Sequence, residues 1–134
     1  MMGRTFGRGL LALTLLATPA IGQGMPLRYD LQVTAAADGF FVENDRENGA
    51  RGMWCAAGTY AQQTGAVAPG QRIYVAEARR PGLGQRGPVK FTFDPTGLIP
   101  RSVFLLGASF RQAGTSMSVQ HTLSLCHALR GAGR

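Results

Sequence analysis

The 134-residue chain is poor in the residues that do most protein chemistry. It holds two cysteines, two histidines, one tryptophan and a single lysine, Lys90. There is no Cys-x-x-C, which excludes a thioredoxin-like redox pair. Zinc would have to draw on Cys55, Cys126, His121 and His127; Cys126 and His127 are adjacent, and the usual paired ligand spacings are missing. No Gly-x-Ser-x-Gly and no His-Glu-x-x-His is present, so the common hydrolase signatures are absent. No apolar run approaches the roughly 20 residues that a membrane-spanning helix needs. Internal repeats and low-complexity segments are missing too.

What is present begins at the N-terminus. Arg4 and Arg8 form a basic head, Leu10 to Ala17 (LLALTLLA) an apolar run, and Thr18-Pro19-Ala20-Ile21-Gly22 a break with small residues. This is the layout of a secretory signal peptide over residues 1–22. Cleavage is expected after Gly22, with Ala20 as the alternative. No cysteine follows the site, which argues against a lipid anchor. The mature chain would then run from Gln23 to Arg134 as one domain, periplasmic or secreted, with no stable membrane anchor.

Loss of Arg4 and Arg8 leaves 12 of the 14 Lys and Arg residues against seven acids, Asp30, Asp38, Glu43, Asp45, Glu47, Glu77 and Asp94. The net charge of about +5 bears on partners rather than on fold. The arginines are scattered and do not interleave with aromatics in a stacking pattern, so nucleic acid is not the expected target. In an oxidising compartment the even pair Cys55 and Cys126 reads as a disulfide.

Leu27, Tyr29, Leu31, Val33 and Ala35 alternate with polar residues, as in a half-buried strand. Asp38-Gly39 marks a turn before Phe40-Phe41-Val42, predicting a hairpin. Glu43 to Gly49 (ENDRENG) reads as a solvated acidic loop, with Arg46 and Arg51 to neutralise it. A helix is expected from Asn48, its cap, to a stop at Gly65, with Ala50, Trp54, Ala57 and Ala61 on one face. The small Ala56, Ala57 and Gly58 would let it lie close on a sheet. Arg72 to Arg79, Val89 to Asp94, and Phe104, Leu106, Ala108 and Phe110 read as three strands. The tail from Ser116 to Leu129 fits a strand (Met117, Val119, Leu123, Leu125) or a helix capped by Ser118 (Val119, Leu123, Cys126, Arg130), with helix preferred. The expected fold is α+β: a small antiparallel sheet with one or two helices on one face and one disulfide.

The remaining motifs are weak. Gly82-Leu83-Gly84-Gln85-Arg86-Gly87 matches Gly-x-Gly-x-x-Gly, yet it joins two expected strands and lacks the strand-to-helix setting of a dinucleotide site. Arg79, Arg80 and Arg86 on this Gly/Pro-rich connection offer a possible anion-binding loop. Glu43, Asp45 and Glu47 resemble a calcium loop, but Asn48 stands where its glycine belongs and Trp54 where its bidentate Glu belongs. His121 and His127 are the only bases of suitable pKa; on the strand reading His121 falls on an apolar face.

Met53-Trp54-Cys55-Ala56-Ala57-Gly58-Thr59-Tyr60-Ala61 resembles a segment of small bacterial exported proteins. There a similar helix is followed by a strand, a Gly/Pro-rich stretch, a phenylalanine strand and a late Cys. The resemblance extends from Trp54 to Cys126 and is specific in its first motif. It implies a disulfide and carries no catalytic residue, cofactor or function with it. The expected function is a non-enzymatic binding or accessory module whose partner is a periplasmic protein or an anionic envelope component. A small periplasmic hydrolase using His121 or His127, or an anion binder using Arg79, Arg80 and Arg86, are the alternatives.

Overall fold

The computed structural model describes residues 31–79 and 87–131. The expected signal segment, the strand start at Leu27 and Tyr29, and Arg80 and Arg86 lie outside them. Six strands form one sheet: β1 (Val33–Ala36), β2 (Gly39–Val42), β3 (Arg72–Val75), β4 (Val89–Thr92), β5 (Arg101–Ser102) and β6 (Thr115–Ser118). Helix α1 (Gly49–Thr64) follows β2, and α2 (Val119–Gly131) follows β6. The spatial order is β1-β2-β4-β3-β6-β5. All pairings are antiparallel except β5 with β6. The expected α+β class, the first hairpin and the disulfide are all present.

Period-two alternation puts one set of side chains on the inner face. Phe91 stands opposite Phe40 on one side and Val75 on the other, Val42 opposite Val89, and Ile73 opposite Met117. All seven are buried. Helix α1 covers this layer with Met53, Trp54, Ala57 and Ala61, each fully buried, as its 3.6-residue spacing predicts. The Trp54 ring meets Phe91 edge-on at 5.0 Å and stacks on Phe110 at 5.8 Å. Gly65 ends the helix at φ 80°, where the Ala66 N–H returns to the Ala61 carbonyl at 2.8 Å.

At the start of α1 the local logic departs from the sequence reading. Asn48 makes no side-chain cap bond; Asp45 Oδ1 instead accepts the N–H groups of Glu47 and Asn48, both at 2.9 Å. Asp45 is therefore buried rather than solvated. Gly52 makes room for it, since a Cβ there would stand 2.7 Å from the Asp45 Cγ. Arg46 and Arg51 are exposed, and among the described residues the ion pairs belong to Lys90, not to this loop.

Two further strand expectations need correction. The period of two over Phe104 to Phe110 does not form a strand: Leu106–Arg111 is a 3-10 helix, and the unexpected strand β5 precedes it. The strand from Arg72 stops at Val75 instead of reaching Arg79. The C-terminal segment is both things in turn, strand to Ser118 and helix from Val119, with the Ser118 hydroxyl accepting the His121 N–H at 3.2 Å as the expected cap. Helix α2 packs on α1 through the Cys55–Cys126 disulfide, Cα atoms 5.0 Å apart, with Leu129 beside it. Gly58 faces α2, not the sheet, while Ala56 and Ala57 do enter the core.

A candidate docking face beside β5

The connection from β4 to β6 places apolar side chains in water, and the reason is local. Pro100 has no N–H to give a ladder, and β5 extends for two residues only. Beyond it the 3-10 helix is pinned from inside. Ser109 Oγ accepts the Trp54 Nε1–H at 2.9 Å and donates to the Leu106 carbonyl at 2.6 Å. Phe110 is buried against Trp54 and Phe91. With Val103 and Leu106 packed against the core on either side, Phe104 and Leu105 between them face outward. Phe104 is 95% exposed, Leu105 65%, and nearby in sequence Ile99 is 70% exposed.

Two shallow grooves border Phe104. One, of about 420 Å³, is lined by Arg72, Ser102, Ser118, His121 and Leu125; the other, of about 270 Å³, by Arg101, Leu105, Arg111, Gln112 and Thr115. Neither contains a carboxylate. Asp94 is the last acid in the sequence, so the charged side chains of the 40 residues after it are all positive. Arg101 and Arg111 are exposed and have no carboxylate partner among the described residues.

Three acids, Asp38, Glu77 and Asp94, lie together beside the β1–β2 hairpin. There a groove of about 560 Å³ is lined by Phe40, Tyr60, Phe93, Asp38, Glu77 and Lys90. Its lysine is already paired: Lys90 Nζ reaches Asp38 at 3.0 Å and Glu77 at 3.1 Å. Hydrogen bonding and attraction from Lys90 hold the Asp38 carboxyl below its ordinary value. Asp94 is likewise lowered by the Thr96 hydroxyl and N–H.

Of the residues singled out in the sequence, Arg79 turns inward. Its Nη2 donates to the carbonyl of Gly87 and to Asn44 Oδ1, its guanidinium lies 5.5 Å from the centre of the Phe110 ring, and burial lowers its pKa. Arg79 is thus held by partners within the chain, while Arg80 and Arg86 of the same expected anion-binding loop lie outside the described residues. His121 and His127 are both exposed on α2, and among the described residues neither imidazole is hydrogen-bonded to a carboxylate. The Gly-x-Gly-x-x-Gly stretch lies outside the described residues apart from Gly87. Phe104, Leu105, Arg101 and Arg111 escaped the sequence reading, because the alternation assigned Phe104 to a buried face. The signal that marks them is the absence of any acid after Asp94. No helix among the described residues is long and apolar enough to cross a membrane. No protein-family model, curated protein or solved structure matches this chain.

Proposed function

We propose that this protein is an exported, non-enzymatic binding module of the bacterial envelope that docks a partner on the face around Phe104. One observation carries the reading: Phe104 and Leu105 stand in water on a groove they share with the unpaired Arg101 and Arg111. Clustered exposed apolar side chains on a small domain mark interaction surfaces, and aromatic and arginine residues dominate interface energetics. The Cys55–Cys126 bond and the N-terminal layout of residues 1–22 support export, since disulfides persist in oxidising compartments.

The test is the size of the native species. In a gently prepared envelope extract, the wild-type chain is expected to elute from a sizing column in a complex larger than itself. Phe104→Asp should elute as the free chain while melting at the wild-type temperature. A free chain in both preparations overturns the proposal. Replacing His127, which lines neither groove, by Ala should leave the complex intact.

A further inference from the structure

The geometry points to an extended polypeptide segment, acidic and apolar by turns, as the occupant of this face. The inference rests on the docking reading above and assigns its partner. Three features select the occupant. First, charge: both grooves beside Phe104 hold arginine or histidine and no acid, so a carboxylate on the partner finds Arg101 or Arg111 without a competitor. Guanidinium groups bind carboxylates in a planar, two-bonded geometry.

Second, shape: the Phe104 ring lines both grooves. A chain laid across Phe104 drops one side chain into each groove, and the ring fills a gap in the chain's own surface. Third, polarity: Ser102, Ser118 and Gln112 line these grooves and can meet the N–H and C=O groups of a peptide backbone. Lipid tails would leave these groups without partners. A second copy of this chain is disfavoured by its own charge. Across a two-fold axis the same surface meets itself, which brings arginine against arginine.

Phe104→p-benzoylphenylalanine, introduced into the full chain in its native host, tests the assignment by photocrosslinking. The expected product is a discrete polypeptide adduct whose crosslinked stretch contains both acidic and apolar residues. Its yield should fall about tenfold or more when Arg101→Glu and Arg111→Glu are added, as for loss of hot-spot contacts. The same crosslinker at Gln63, exposed on α1, should give no such adduct. A synthetic peptide of the captured stretch should bind the purified chain, and its acid-to-alanine version about tenfold more weakly. An adduct with phospholipid, with another copy of this chain, or with a polypeptide indifferent to the arginine changes overturns the acidic-segment assignment while leaving a docking face in place. No adduct above the Gln63 background overturns both.

Discussion

Gly58 of α1 lies against Thr122 of α2 so closely that a Cβ on Gly58 would stand 2.9 Å from the Thr122 Cβ. Thr122 is itself fully buried, its hydroxyl donating to the Val119 carbonyl at 2.6 Å. In an open helix Gly→Ala gains up to about 1 kcal/mol. Here it overpacks a helix–helix contact, which costs about 1–3 kcal/mol. Gly58→Ala should therefore lower the urea midpoint despite its better helix propensity. A raised midpoint would show that the helices have room between them.

The disulfide sits one turn from that contact and spans 71 residues of chain. Closing a loop of this length contributes about 4 kcal/mol in the chain-entropy description. Whole domains have about 5–15 kcal/mol to lose. Cys55→Ser with Cys126→Ser should bring the chain to the edge of unfolding at 37 °C, measured by circular dichroism against temperature. An unchanged melt would mean that α1 and α2 hold together by packing alone.

Trp54 Nε1 is buried with Ser109 Oγ as its acceptor. Ser109→Ala leaves that donor unpaired and frees the Leu106 carbonyl from its side-chain bond, a change expected to cost about 1–3 kcal/mol. Unfolding followed by the fluorescence of the single tryptophan reads it directly. Phe104→Ser, only two residues before Leu106 but in water, should move the same curve by no more than about 0.5 kcal/mol.

Lys90 links Asp38 and Glu77 beside the β1–β2 hairpin. Its own pKa is raised by the hydrogen bonds it donates to Asp38 and Glu77, and that of Asp38 is lowered by Lys90. The Asp38 contribution is present above its ordinary 3.8 and is lost as the pH falls through its lowered value. The Lys90 contribution is present below its ordinary 10.5 and is lost as the pH rises through its raised value. The pair thus acts over the whole neutral range, and added salt weakens it because both carboxylates face water. A carboxyl-carbon NMR titration should place Asp38 below 3.8, and Lys90→Gln should return it upward. A midpoint already at 3.8 in the wild type would remove the link.

Much of the scaffold was legible in the chain. Gly65 marked the end of α1, because glycine alone turns left-handed there without strain, whereas at its start Asp45 and not the expected Asn48 side chain accepts backbone N–H groups. Trp54, Ala57 and Ala61 marked its buried face, and Phe40 to Val42 and Val89 to Phe91 marked two strands, since these periods follow from backbone geometry. The even cysteine pair in a chain with an export-type N-terminus marked the bond that joins the helices. The C-terminal segment satisfied two periods at once because strand becomes helix at Ser118–Val119 with no loop between them.

The candidate site was decided elsewhere. The alternation over Phe104, Leu106, Ala108 and Phe110 records which residues are apolar, not which of them find room. Room went to Leu106 and Phe110 because Trp54, some fifty residues earlier, needed Ser109 as an acceptor and Phe110 as a neighbour. That choice twisted the chain into a 3-10 helix and left Phe104 in water. Arg79 was drawn inward by Phe110 and Asn44, and Asp45 was buried where Gly52 leaves a gap. Local periodicity sets the faces of helices and strands; contacts between residues far apart in sequence decide which side chains those faces cover and which they leave exposed.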